Sequence, residues 1–300
     1  MKTTQPAGRG VVVGVDASAS SAAAIAWAAA EAESRNLPLH VVYVVPPIVV
    51  PSTAWPELPF PVNYARYEED RARRIVVDAA KLAADAVSSD RAAQTSTEVV
   101  GGPIVATLVE MSKGAEMMVV GCLGENSVTR ALLGSVSSGL THHAHCPVAV
   151  VHAERVPSPT APVVVGIDGS PASESATAIA FDQASRRGVD LVALHAWSDT
   201  GLEFSRRAWA PNEWETIEER EKEVLAERLS GWRERYPDVA VRKVVVCDRP
   251  APQLLEQADT AQLIVVGSRG RGGFASMLLG SVSTAVVQSA QIPVIVARPA

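Results

Sequence analysis

Met117-Met118-Val119-Val120-Gly121-Cys122-Leu123-Gly124, followed after nine residues by Gly134-Ser135, has a near copy later in the chain. The copy reads Leu263-Ile264-Val265-Val266-Gly267-Ser268-Arg269-Gly270, and nine residues on it reaches Gly280-Ser281. Both run through Leu-Leu-Gly-Ser-Val-Ser, at 132–137 and 278–283. A short unbroken apolar run ahead of glycines reads as a strand buried on both faces. A glycine turn followed by a serine that can open a helix lets backbone N–H groups converge on an anion. The stretch therefore implies a strand, an anion-binding turn and a helix, twice over.

The duplication extends outward from these loops. Val11-Val12-Val13-Gly14-Val15-Asp16-Ala17-Ser18 matches Val163-Val164-Val165-Gly166-Ile167-Asp168-Gly169-Ser170 at an offset of 152, whereas the glycine loops match at 146. Cys146-Pro147-Val148 and Ile292-Pro293-Val294 close the two halves in the same register. A period this long is a domain rather than a solenoid unit. The halves divide as 1–153 and 163–300, joined by a proline-bearing linker at 154–162.

Composition limits the function classes. The chain has 300 residues, 47% hydrophobic and 20% charged, with a net charge of −6, which suits soluble domains and argues against a broad nucleic-acid surface. The polar start lacks the apolar core of a signal peptide, and no run reaches the ~18 apolar residues of a membrane span. Three cysteines, Cys122, Cys146 and Cys247, have no metal-type spacing, so a reducing cytoplasmic setting is expected. His142, His143 and His145 beside Cys146 have no matching ligands in the second half. They read as a helix end rather than a metal site.

Strand and helix signals alternate. In the first half, strands are expected at Val11–Asp16, Leu39–Val45, Thr97–Val100, Met117–Val120 and Val148–His152. Helices are expected from Ser18 to about Arg35, from about Ala65 to Val87, from Pro103 to about Lys113, and from about Ser135. The second half repeats the order, with strands at Val163–Asp168, Leu191–Trp197, Val241–Val246, Leu263–Val266 and Val294–Ala297. Its helices are expected from Ser170, over about 213–235, after Pro252, and beyond the glycine loop. The charged run Glu213–Arg235 reads as the solvated face of an amphipathic helix. Such alternation implies a parallel sheet with helices on both faces. Ligands on such sheets bind beyond the carboxyl ends of the strands, where strand order reverses. The aspartate ending strand one and the glycine loop after strand four both lie at that edge.

With these motifs in place, the chain resembles the universal stress protein family, in its tandem two-domain form. The resemblance implies two five-stranded parallel α/β sandwich domains of adenine nucleotide alpha hydrolase-like fold, pseudo-twofold related, associating through their last strands. It implies ATP, two per chain, with Mg2+ as a candidate companion ion. It places Asp16 and Asp168 against the adenine side, with Gly14 and Gly166 letting the base approach the sheet. Val44 and Ala196 would offer backbone groups to the adenine edge, and Asp199 could reach the same ligand, whereas Pro47 holds its register in half one. Gly121, Cys122, Leu123, Gly124, Glu125, Asn126 and Ser127 would wrap ribose and phosphates. So would Gly267, Ser268, Arg269, Gly270, Arg271, Gly272 and Gly273 in half two. Gly134, Ser135 and Val136, and likewise Gly280, Ser281 and Val282, would present helix-start amides to the phosphate tail, with Ser283 at its edge. Gly124 and Gly270 are expected to be required because a Cβ would meet phosphate or forbid a positive φ.

The functional expectation is a non-enzymatic, ATP-binding regulator of stress or growth adaptation, working as a homodimer or a pseudo-symmetric monomer with a protein partner of unknown identity. No membrane or nucleic-acid partner is expected. A slow ATPase or phosphotransfer enzyme, and a scaffold with a structural nucleotide, are the alternatives. No Gly-x4-Gly-Lys-(Ser/Thr) loop is present, which argues against P-loop hydrolysis. Gly270-x-Gly272-x-x-Ala275 imitates a dinucleotide fingerprint but follows strand four instead of strand one.

Overall fold

A computed structural model describes residues 10–47, 64–88, 94–124, 133–197, 211–271 and 278–299, with side chains at 64–65 and 211–215 excepted. The chain forms two compact units, Met1–Ala153 and Glu154–Ala300. Unit one contains β1 (Val11–Gly14), α1 (Ala19–Arg35), β2 (Leu39–Val45), α2 (Tyr64–Asp85), β3 (Thr95–Gly101), α3 (Ile104–Met111), β4 (Met117–Gly121), α4 (Ser135–His143) and β5 (Val148–Val151). Unit two contains β6 (Val163–Gly166), α5 (Pro171–Arg187), β7 (Leu191–Ala196), α6 (Pro211–Arg235), β8 (Val241–Val246), α7 (Pro250–Ala258), β9 (Leu263–Gly267), α8 (Ser281–Ser289) and β10 (Val294–Ala297).

Strands within each unit are parallel, in the order β3-β2-β1-β4-β5 and β8-β7-β6-β9-β10. The chain steps one way from β1 to β3, then crosses back to β4 and β5. With right-handed crossovers, that reversal places α1 and α2 on one face and α3 and α4 on the other. Accordingly α1 packs against α2, and α3 against α4. The central strands are apolar throughout: Val11, Val13, Met118, Val119, Val148 and their counterparts Val163, Val165, Ile264, Val265 and Val294 are fully buried. The outer strands β3 and β8 carry exposed residues, consistent with their polar positions.

Several element boundaries differ from the expectation by a few residues, and three of the differences have a clear local cause. β1 and β6 stop at Gly14 and Gly166, although Val15 N still donates to Val42 O at 2.9 Å and Ile167 N to Leu194 O at 2.8 Å. The aspartates then turn the chain away from the ladder. Pro103 sits at the N-cap of α3 instead of its first turn, since its ψ of 118° is extended. The helix expected after Pro252 begins at Pro250, a proline at the first helical position where no N–H is needed.

Candidate functional site

Each unit has a cavity at the carboxyl edge of its sheet, over the reversal between strands one and four. Its volume is about 570 Å³ in unit one and about 480 Å³ in unit two, within the range of small-molecule sites. In unit one it is lined by Gly14, Asp16, Val44, Gly121, Leu123, Gly124, Gly134, Ser135 and Val136. In unit two the lining includes Gly166, Asp168, Ala196, Gly267, Arg269, Gly270, Arg271, Gly280, Ser281, Val282 and Ser283. Glu125, Asn126, Ser127, Asp199, Gly272 and Gly273 lie outside the described residues.

The glycine loops are held from below. Asp16 Oδ1 accepts the Ser18 amide, and Asp168 Oδ1 the Ser170 amide, each at 2.9 Å, closing a turn at the strand end. Asp168 Oδ2 also accepts the Arg271 amide at 3.1 Å. Ser170 Oγ donates to the Arg269 carbonyl at 3.0 Å, and Ser18 and Ser20 donate to the equivalent Leu123 carbonyl. The loop carbonyls that would repel an anion are thereby engaged on the helix side. Both aspartates line their cavities, and Asp168 in addition fastens strand one to its glycine loop.

Three expectations are corrected. Cys122 and Ser268 line neither cavity. Their side chains are 4% and 0% exposed, because their amides continue the ladder by donating to Val151 O and Ala297 O, which turns the side chains inward. Gly124 and Gly270 have no positive φ. A Cβ at Gly270 would instead stand 2.5 Å from Asp168 Oδ2, and one at Gly124 would stand 3.3 Å from Asp16 Oδ2. Finally, Gly134 and Gly280 do not present free amides, since each donates at 2.8 Å to the carbonyl of residue 122 or 268. Ser283 Oγ likewise donates to Gly267 O, and its counterpart Ser137 to Cys122 O.

Gly121 and Gly267 line the cavities but owe their identity to packing. A Cβ at Gly121 would lie 2.7 Å from the Ser20 backbone carbonyl carbon, and at Gly267 2.7 Å from that of Ala172. Only glycine lets the first turns of α1 and α5 sit so close to strand four of each sheet.

What remains for a ligand is the start of α4 and α8. Neither helix has a side-chain cap, whereas α1 and α5 are capped by Ser18 and Ser170, which accept from Ser21 N at 3.1 Å and Ser173 N at 3.2 Å. The amides of Ser135, Val136 and Ser137, and of Ser281, Val282 and Ser283, have no partner inside their helices. They open onto cavities with Ser135 and Ser281 exposed. Partial positive charge at a helix start favours an anion there.

The opposite end of each cavity contains residues that sequence reasoning missed. In unit one these are Tyr43, Glu68 and Arg71; in unit two, His195, Trp197 and Glu221. Arg71 donates to Tyr43 Oη at 3.4 Å and lies 3.9 Å from Glu68. His195 has Nδ1 2.6 Å from Ile167 O and Nε2 3.0 Å from Glu221 Oε2. A polar histidine inside the otherwise apolar Leu191–Ala196 run was the available signal.

The parallel sheet with helices on both faces, and a cavity beside an uncapped helix start at the strand-order reversal of each unit, define a protein of two like α/β domains. Comparison with known proteins is more specific. The Universal stress protein family model matches residues 9–152 and again 160–298, so the chain belongs to that family. It is 55% identical over 312 aligned residues to a universal stress protein of Mycobacterium tuberculosis, covering 99% of this chain and 97% of the relative. A second universal stress protein of that organism is 52% identical over 298 residues, with 96% and 97% covered. A solved universal stress protein from Archaeoglobus fulgidus shares the fold, with TM-score 0.66, 21% identity and 96% of each chain covered. No described helix is long and apolar enough to cross a membrane.

Proposed function

We propose that the protein binds ATP at two sites, one per unit, and acts as a nucleotide-dependent regulator in stress adaptation. The observation that carries this reading is the pair of uncapped helix starts, Ser135–Ser137 and Ser281–Ser283, each opening onto a cavity at the strand-order reversal. The loop carbonyls are bonded away from the cavity, and the orphan amides face a place where a triphosphate tail fits. In unit two, Arg269 and Arg271 add charge beside those amides. Cavities of this size also have room for a nucleoside beyond the phosphates.

The reading is a binding function. Asp168, the carboxylate nearest the loop, already holds two backbone amides, which suits a structural fastening better than proton transfer. Calorimetric titration of the full chain with ATP tests the proposal. Two equivalents bound per chain are expected, and saturation with none would overturn it. Phosphate release measured under the same conditions separates binding from slow hydrolysis.

A further inference from the structure

We propose that Glu221 is a base-specificity residue of the unit-two cavity, accepting an amino N–H from the 6-position of a bound purine nucleotide. The inference rests on the nucleotide reading above and assigns the far end of that same site. Strand order settles which end this is. The glycine loop and α8 follow β9, on one side of β6, whereas His195 of β7 lies on the other. Two strand spacings separate them, about 10 Å, which is enough to place the base near β7 when the phosphates sit at α8.

Glu221 is aimed by its neighbour. His195 Nδ1 faces the Ile167 carbonyl, which can only accept, so the ring donates there. Its Nε2 lies 3.0 Å from Glu221 Oε2 and holds that oxygen in a hydrogen bond. The side chain of His195 is 5% exposed and that of Glu221 is 26% exposed, so the ring is fixed in the wall while the carboxylate reaches the cavity. Oε2 is committed to His195, and the remaining oxygen is an acceptor without a donor on the imidazole. An exocyclic amine supplies one.

Unit one lacks this arrangement. Tyr43 occupies the register position of His195, both being the residue after the strand-two partner of the glycine ending strand one. Its nearby carboxylate, Glu68, shares Arg71 with the tyrosine hydroxyl. A cation leans over that acceptor, and no imidazole orients it.

The test uses the full chain, photolabelled with 8-azido-ATP and digested, so that labelled peptides report each unit separately. ATP and purine riboside 5′-triphosphate, which lacks only the 6-amino group, compete for labelling. At unit two, ATP is expected to compete about tenfold better, the worth of one charge-assisted hydrogen bond. Glu221→Met keeps the length of the side chain but offers the ligand's amine no acceptor. That variant should lose ATP competition about tenfold and leave purine riboside triphosphate unchanged, with unit-one peptides unaffected. Equal weakening of both competitors in Glu221→Met would assign the residue a structural role and overturn the proposal. Equal competition in the unmutated protein would overturn it too. Absence of ATP-protected labelling in unit-two peptides would defeat the nucleotide reading itself, a result distinguishable from either.

Discussion

The two units build one backbone site with different side chains around it, and the difference is concentrated in the helix that follows strand two. In unit one, α1 and α2 meet through alanines: Ala29, Ala79 and Ala83 are buried, and the helices approach closely. In unit two, Phe181 replaces Ala29, and Trp232 and Tyr236 stand where Ala79 and Ala83 do. Phe181 is fully buried, with ring centroids 5.9 Å and 5.7 Å from Trp232 and Tyr236. Aromatic rings therefore fill the space between α5 and α6. Helix α6 delivers Glu221 to the cavity wall and Arg228 to the strand-one turn, where the guanidinium lies against Gly169. Gly169 has φ 77°, and its counterpart Ala17 has no positive φ. A repeat can therefore preserve its amide cradle while the flanking layer changes what else the site offers.

The largest expected effect tests that aromatic layer. Phe181→Ala should cost about 3–5 kcal/mol of unit-two stability, the usual range for a buried phenylalanine deletion. Ala29→Gly in unit one should cost about 1 kcal/mol. Urea unfolding with a probe in each unit reads both. Comparable losses would mean that the aromatic cluster is not what organises α5 and α6.

A smaller effect separates the two glycine loops. Gly270→Ala places a Cβ against Asp168 and must displace the carboxylate that holds the Arg271 amide. Nucleotide affinity at unit two should fall by about tenfold to a hundredfold, the worth of one or two charged hydrogen bonds. Gly124→Ala has 3.3 Å of room beside Asp16 and should weaken unit one by less. Titration of each variant checks the order, and a reversed order would break the comparison.

The smallest effect concerns loop charge. Arg269 and Leu123 occupy the same position in the two loops, and both line their cavities. Arg269 is exposed, so solvent screening limits its value to about 1 kcal/mol. Arg269→Leu should weaken ATP at unit two by about fivefold and flatten its salt dependence toward that of unit one. An unchanged salt slope would show that the guanidinium points to solvent.

Much of the architecture was readable in the chain. Unbroken valine runs such as Val11–Val13 and Leu263–Val266 can be buried only in the middle of a parallel sheet, and Ser18 and Ser170 announced helix starts that they do cap. The site was legible less evenly. The glycine and serine positions were found, but their separate duties were not. Gly121 and Gly267 line the cavities and, in addition, permit close helix packing. Cys122 and Ser268 looked like loop residues and prove to be buried ladder positions. Glu221 was hidden among the charges of α6, since a charged helix face reads as solvated unless its neighbours are known.

The sequence by itself determined the duplication, the alternation of strands and helices, and the place of each loop at the carboxyl edge. These follow from periodicity, turn residues and repetition, which act over a few neighbouring positions. Only the tertiary structure decided which groups are left free there. Whether an amide, a carboxylate or a thiol faces the cavity depends on partners distant in sequence: Val151 for Cys122, Arg271 for Asp168, and His195 for Glu221. A polar group near a ligand is available only if the fold has not already satisfied it, and that accounting closes in three dimensions.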